Sequence, residues 1–252
     1  MSGCTSEFLL DHALASELAT AAGRRLVALR STIADGSALK AAGDRSSHEF
    51  LMAELARCVP NDGVVSEEGE RTVGRATIRR TWIVDPLDGT REYSEPPRDD
   101  WAVHVALVID GQPIVGAVAM PARDLTLATG APLPAPQPLP THVRIAVSRT
   151  RPTPHAAHLC ERLRAEMVPM GSAGIKAMAV VLGRAEVYAH SGGQFEWDSA
   201  APVAVAAAAG FHVSRLDGSP LVYNQADPWM PDLLVCHPDL AADVIRICGE
   251  QP

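Results

Sequence analysis

Five prolines alternate through residues 131–140, which read Ala-Pro-Leu-Pro-Ala-Pro-Gln-Pro-Leu-Pro. Each fixes its own φ, lacks an N–H, and pushes the residue before it out of the helical region. No helix and no central strand can cross such a run. The chain must therefore build structure before it and after it. The run is expected to lie extended as a semi-rigid connector, which sets domains at 1–130, 131–140 (the connector) and 141–252. The bland alternative is a surface loop inside one domain, and 252 residues suffice for either.

Periodicity supplies the elements on each side. Leu10, Leu14, Leu18, Ala21, Ala22, Leu26 and Leu29 fall at helical spacing, which predicts a helix over 8–30. Phe50, Leu51, Leu55 and Cys58 predict a second over 46–58, with Ser46 or Ser47 as its cap and Pro60-Asn61-Asp62-Gly63 as the turn that ends it. Short apolar runs predict strands at 64–65 and 81–84. A hairpin is expected from 101–109 and 114–120, turning at Asp110-Gly111 and lengthened by Gln112-Pro113. Beyond the connector, strands are expected at 143–147, 185–189 and 233–236, and helices at 155–166, 175–182, 198–209 and 240–247. Alternation of this kind implies sheets covered by helices. With 47% apolar but only 4% aromatic residues, the core must be mostly Ala, Val and Leu.

Charge and cysteines narrow the function. A formal net charge of -8 disfavours a binder of nucleic acid polymers, which needs a basic face. It leaves room for a small phosphorylated substrate if divalent cations supply positive charge. Cys4, Cys58, Cys160, Cys236 and Cys248 show no C-x-x-C pair, so a zinc site is not expected. Their odd number and wide spread suit reduced thiols in the cytoplasm. The start of the chain lacks the basic and apolar regions of a signal peptide, and no apolar run is long enough to span a membrane.

The chemistry concentrates in Trp82-Ile83-Val84-Asp85-Pro86-Leu87-Asp88-Gly89-Thr90. An apolar strand delivers two carboxylates three residues apart at its carboxyl end, where open α/β sheets bind ligands. Pro86 breaks the strand, and Gly89 admits a close ligand. The amides of Gly89 and Thr90 would face an anion if a helix follows. Hard cations want more oxygens than one loop offers. Two other segments can supply them: Ser66-Glu67-Glu68-Gly69-Glu70, and Trp197-Asp198 before Ser199-Ala200-Ala201. Each has an ordinary reading taken alone. Asp198 is a helix cap, Glu67 and Glu68 a solvated charge run, and Asp85 and Asp88 an Asx turn. No nucleophilic Cys, Ser or His motif accompanies them. His104 and His190 show no ligand spacing and read as ordinary residues.

The three segments, in this order, resemble the signatures of the inositol monophosphatase-like family of magnesium-dependent, lithium-sensitive phosphatases, and the resemblance runs from about residue 8 to residue 240. The resemblance implies a layered αβαβα fold (α+β with α/β character, sugar-phosphatase-like) and two or three Mg²⁺ ions per site. It implies metal ligation by Glu67, Asp85, Asp88, Asp198 and the Leu87 carbonyl. Gly89 and Thr90 amides would bind the phosphate, with Glu67, Leu87, Asp88 and Asp198 also close to the substrate. Asp44 would pair with the Thr90 hydroxyl and, with Glu67, orient the attacking water. One departure falls there: the family's P-V-T-x-A-D is Leu39-Lys40-Ala41-Ala42-Gly43-Asp44 here, which reads as a shortened loop. The family also implies a homodimer.

Arg91-Glu92-Tyr93, Ala146-Val147-Ser148-Arg149 and Gly171-Ser172-Ala173-Gly174-Ile175-Lys176 look like the CysQ branch, the 3'(2'),5'-bisphosphate nucleotidases. That branch implies hydrolysis of 3'-phosphoadenosine 5'-phosphate, or 3'-phosphoadenylyl sulfate, in sulfur assimilation. Ser148, Arg149, Ser172 and Lys176 would then contact the substrate, with Ser172 and Lys176 meeting a second phosphate at a helix N-terminus. Lys176 as a solvated lysine and Arg149 in a structural ion pair are the plain alternatives. Rival functions are an inositol-1-phosphatase, a fructose-1,6-bisphosphatase, a broad-specificity sugar phosphatase, a glycosidase, and a metal- or ligand-binding protein without turnover.

Overall fold

In the computed structural model, which describes residues 8–69 and 78–250, two five-stranded sheets alternate with three helical layers. Cys4, the first residues of the chain and Glu70 lie outside the described residues. The first sheet has the order β1-β2-β3-β4-β5 and is built from Gly63–Ser66, Arg80–Asp88, Ala102–Ile109, Gln112–Met120 and Leu125–Ala128. Only β1 and β2 run parallel. The second has the order β7-β6-β8-β10-β9, from Glu166–Met170, Arg144–Ser148, Val187–Phe195, Trp229–Cys236 and His212–Ser214.

Strand alternation creates the layers, because successive residues face opposite sides. Trp82 and Val84 of β2 join Leu18 and Leu26 of α1 (Leu9–Arg30) and Leu51 and Leu55 of α2 (Gly36–Cys58) in one core. Ile83, between them, faces the other way. There it meets α5 (Ala173–Val181) and α6 (Glu196–Ala208), which lie between the two sheets. The second sheet completes this central core with Ala146, Tyr188 and Val235. Its outer face sends Ile145, Val187 and Leu234 against α4 (Pro154–Leu163) and α7 (Ala241–Gly249). The order αβαβα is the one expected. The Ala-rich α6, buried at nine of its residues between Trp197 and Ala206, shows why few aromatics are needed: small side chains let helix and sheets approach closely.

Several expectations are corrected. α2 begins ten residues earlier than its apolar pattern announced, at Gly36, where the Asp35 carboxylate accepts the Ala38 N–H at 2.7 Å. Its buried stripe is Leu39, Gly43, Ser47, Leu51 and Leu55, and the small residues in the middle hide its period. Ser46 and Ser47 are therefore mid-helix and not caps. The segment read as a shortened loop around Asp44 is helix. In the hairpin, Gln112 pairs with Ile109, so Asp110-Gly111 alone makes the turn and Gln112-Pro113 belong to β4; the irregularity falls instead between Leu107 and Val108. The helix expected to reach 166 stops at Leu163, and residues 166–170 form the edge strand β7. Strands β5 and β9 carried no clear sequence signal. Residues 131–140 form no helix or strand, as expected. Cys58, Cys160, Cys236 and Cys248 are free thiols, and no described helix is long and apolar enough to cross a membrane.

Candidate active site

The parallel pairing of β1 with β2 sets Ser66 beside Val84, and the Glu67 N–H reaches the Val84 carbonyl at 3.4 Å. That register brings Glu67 next to Asp85, the first residue of the β2 irregularity. The Asp85 carboxylate accepts the Leu87 N–H at 3.0 Å, an Asx turn that reverses the chain and returns Asp88 to the same side. Ser47 of α2 fastens the turn by donating to the Pro86 carbonyl at 2.7 Å. From the other half of the chain, Asp198 is the third residue of α6, and its side chain accepts the Phe195 N–H at 2.7 Å. Asp198 is thus not the N-cap itself, which is Phe195, but a residue of the first turn that reaches back to the N-cap amide, and it is also a member of the cluster.

Crowding four carboxyl groups raises the cost of ionising them. Asp85 is almost wholly buried, and loss of hydration, then Glu67, Asp88 and Asp198, push its pKa well up. Burial first and Asp88 second push Asp198 up to about 6. Glu67 keeps much of its surface open, yet its carboxyl is pushed up to about 7 by desolvation and by Asp198 and Asp88, with the contact to Asp85 acting the other way. Asp44, on α2, rises to about 6 through burial and the nearby Glu68.

Asp88 behaves differently. Burial opposes its ionisation, but His104, Ser172 and Lys176 outweigh it and hold the carboxyl at about 2. Its Oδ2 accepts the Ser172 hydroxyl at 2.5 Å and the Gly174 N–H at 2.7 Å; Oδ1 accepts the Ala173 N–H at 3.1 Å. Asp88 therefore satisfies the first amides of α5, beside its N-cap Ser172, whose hydroxyl oxygen accepts the Ile175 N–H at 3.0 Å. Ser172 adopts a left-handed φ of 55°, a strain of about 1–3 kcal/mol that these contacts hold in place. The Lys176 ammonium, one turn on, donates to the Ser172 carbonyl at 2.5 Å and lies over the Tyr188 ring. Burial lowers its pKa, while Asp88 and Glu92 oppose that.

The buried imidazole of His104, read from sequence as an ordinary residue, sits inside the cluster, its Nε2 3.2 Å from Asp88 Oδ2. Its pKa is raised, burial being overcome by Asp88. Asp85, Asp88 and His104 form a possible metal-binding group. The signal available in sequence was its place within an apolar strand; its pairing with Asp85 is set by the fold.

Beside the carboxylates opens a cavity of about 540 Å³, whose lining includes Asp88, Asp198, Ser148, Arg151, Lys176 and His190. Ser148, Ser172 and Lys176 all line this cavity. Arg149 does not: its guanidinium is paired with Glu92 at 2.5 Å and Glu95 at 2.7 Å, away from the cavity. Arg151, two residues on, lines the cavity and makes no side-chain hydrogen bond or ion pair among the described residues. The expected Asp44–Thr90 hydrogen bond is also absent there; the Thr90 hydroxyl donates to the Leu87 carbonyl at 3.2 Å. Gly89, at φ +86°, makes the left-handed entry to the single turn α3 (Thr90–Tyr93) that only glycine adopts cheaply.

An αβαβα stack with a carboxylate cluster shared between its halves defines a layered α/β fold with a candidate cation site. The family model for the inositol monophosphatase family matches residues 11–247, and the chain belongs to that family. It is 46% identical over 259 aligned residues, covering 96% of this chain and 94% of the relative, to the 3'-phosphoadenosine 5'-phosphate phosphatase of Mycobacterium leprae. It is 48% identical over 233 residues, 87% of this chain and 86% of the relative, to the protein of the same name from Mycobacterium tuberculosis. Among solved structures, CysQ from Bacteroides thetaiotaomicron superposes with a TM-score of 0.77 at 27% identity, over 92% of this chain and 98% of that one.

Proposed function

We propose that this protein is a Mg²⁺-dependent phosphomonoesterase that removes the 3'-phosphate of 3'-phosphoadenosine 5'-phosphate and, by the same chemistry, of 3'-phosphoadenylyl sulfate. The observation that carries the reading is one cavity whose wall carries both acids, Asp88 and Asp198, and cations, Lys176 and Arg151. The acids suit cations that would hold one phosphate, and the cationic wall suits a second anion. A substrate with a single phosphate leaves that wall unused.

The donor set fits a hard divalent cation. Glu67, Asp85 and Asp198 offer oxygens and all resist ionisation by their neighbours, a repulsion that bound positive charge relieves. Those three, with Asp88 and the Leu87 carbonyl, would hold two or three Mg²⁺ ions, which supply Lewis-acid stabilisation to a phosphoryl group under attack by water. The chain's own groups do the rest. The amides of Gly89 and Thr90 would orient the phosphate. The Glu67 carboxyl, with a pKa near 7, can take up or release a proton at its oxygen at neutral pH. Asp44, at about 6, stands close to Glu68 and can share that proton balance. Lys176 and Arg151 would neutralise the second phosphate.

In this reading residues 1–130 and 141–252 are two units sharing one site, Glu67, Asp85 and Asp88 from the first and Asp198, Ser172 and Lys176 from the second. Free thiols support a cytoplasmic setting. Homodimerisation, which the family resemblance suggests, is read out by sedimentation. The deciding experiment measures phosphate release from 3'-phosphoadenosine 5'-phosphate, inositol 1-phosphate and fructose 1,6-bisphosphate with Mg²⁺, with and without Li⁺. Preference for the first supports the reading; preference for either of the others overturns it.

A further inference from the structure

Strand β3 alternates its side chains between two cores. Val103, Val105 and Leu107 enter the core under α1 and α2; Ala102, Ala106 and Val108 enter the central one. His104 stands in the second row and is fully buried. An imidazole in an apolar row is tolerated only if its nitrogens find partners. Nδ1 lies 3.1 Å from the Trp197 carbonyl, which can only accept, so Nδ1 carries a hydrogen. Nε2 lies at an ion-pair distance of 3.2 Å from Asp88 Oδ2 without the alignment of a hydrogen bond, so the contact is one of charge; Asp85 Oδ2 is 4.0 Å from Nδ1.

Two roles fit a histidine so placed. A ring whose Nδ1–H is held by a carbonyl presents Nε2 as a metal ligand, and His104, Asp85 and Asp88 offer atoms within 4.8 Å of one another. Space decides against that role. The first turn of α5 is packed onto Nε2, so that a Cβ on Gly174 would come within 2.0 Å of it. The backbone of Gly174 therefore stands against that side of the ring and leaves no room there for a cation with its own shell of oxygens. The neighbouring Asp88 oxygen is already taken by Ser172 and the Gly174 amide.

We infer that His104 is a positioning residue for the cation site: it fixes Asp88 on one side and, through the Trp197 carbonyl, the start of α6 with Asp198 on the other. The imidazole thus ties the β2 turn, the N-terminus of α5 and the N-terminus of α6 into one geometry. The ring needs the glycine at 174, so His104 and Gly174 act as a pair. The inference rests on the metal-dependent reading above.

Initial rates against Mg²⁺ concentration test it, with thermal melting in chelator run alongside on wild type, His104→Ala, His104→Gln and Gly174→Ala. Losing a group that orients metal ligands costs about 10–100-fold in metal affinity or activity. The Mg²⁺ concentration for half-maximal rate should rise by at least about tenfold in His104→Ala. It should rise less in His104→Gln, which keeps one donor, and should also rise in Gly174→Ala, which displaces the ring. A merely structural role lowers the melting temperature in chelator and leaves the Mg²⁺ half-saturation unmoved. That outcome in His104→Ala overturns the inference and leaves the phosphatase reading standing. If His104→Ala does not fold, unchanged half-saturation in both other variants overturns it equally. A wild-type protein whose phosphatase rate is indifferent to Mg²⁺ overturns both.

Discussion

Raising the pH in the absence of divalent cations should destabilise this protein, against the usual behaviour of paired carboxylates. A carboxyl whose folded pKa stands above its unfolded value keeps a proton that the unfolded chain has released. Stability therefore falls as pH rises between the two values. Asp198 moves from 3.8 to about 6. At about 1.4 kcal/mol per pKa unit, that is roughly 3 kcal/mol at most, lost between about pH 4 and pH 6. Glu67 and Asp85 act in the same direction, Glu67 up to about pH 7, but the exposure of Glu67 and the mutual coupling of the pair make simple addition wrong. Asp88, held at about 2, works oppositely: its contribution is present above pH 4 and is lost only in strong acid. About half of the Asp198 contribution, roughly 1.4 kcal/mol, is still present at pH 5, and for a chain of this size 1 kcal/mol corresponds to about 2–4 °C in Tm, so the metal-free protein should melt at least roughly 3–6 °C lower at about pH 7.5 than at about pH 5, Glu67 acting in the same direction. Millimolar Mg²⁺ should restore most of the difference by binding only the folded state. The assay is circular-dichroism melting in chelator and in Mg²⁺ across that range, with Asp198→Asn as the control that flattens the slope. A metal-free Tm that stays level or climbs from pH 5 to 7.5 refutes the electrostatic argument.

Three further outcomes follow from single contacts. Asp85→Asn should abolish Mg²⁺-dependent phosphate release, a loss beyond about a thousandfold, while circular dichroism shows the fold intact; near-normal turnover removes the metal-site assignment. Arg151→Ala should raise KM about tenfold or more for 3'-phosphoadenosine 5'-phosphate and leave KM for adenosine 3'-monophosphate unchanged, since a charge-assisted contact is worth about 1.5–3 kcal/mol; equal effects on both substrates would show that Arg151 does not read the second phosphate. Ser47→Ala removes the bond to the Pro86 carbonyl, leaves a buried acceptor unpaired, and should cost about 1–3 kcal/mol in urea denaturation with kcat reduced by a looser Asp85 turn.

Much of the fold was legible because its signals are local. The apolar run before Asp85, the Asp-Gly turn and the leucine period of α1 each act within a few residues. What escaped was decided by tertiary contact. α2 buries Gly43 against Tyr93 and Leu87, where a Cβ would come within 2.6 Å of the Tyr93 ring, and it buries Ser47 for its hydroxyl. Both choices erase the apolar period that would have announced the helix. β5 and β7 are edge strands of four and five residues, and β9 an edge strand of three, too short and too mixed for alternation to show.

The site was legible in its residues and less so in their division of labour. Sequence treats Asp85 and Asp88 as equivalent, two acids flanking Pro86-Leu87. The structure separates them. Asp85 faces Glu67 and Asp198, and its charge is opposed by theirs. Asp88 is surrounded by donors from α5 and by His104, and is ionised throughout the useful pH range. The α5 N-terminus, read from sequence as the seat of a second phosphate, is therefore already occupied by Asp88. A second anion must instead be met by side chains, Lys176 and Arg151, across the cavity. The same exchange explains Arg149. Sequence places it in a substrate motif, but Glu92 and Glu95 hold it, and the free cation is shifted two residues along the loop. Such substitutions of partner depend on which carboxylates fold close by, and no spacing along one chain encodes that.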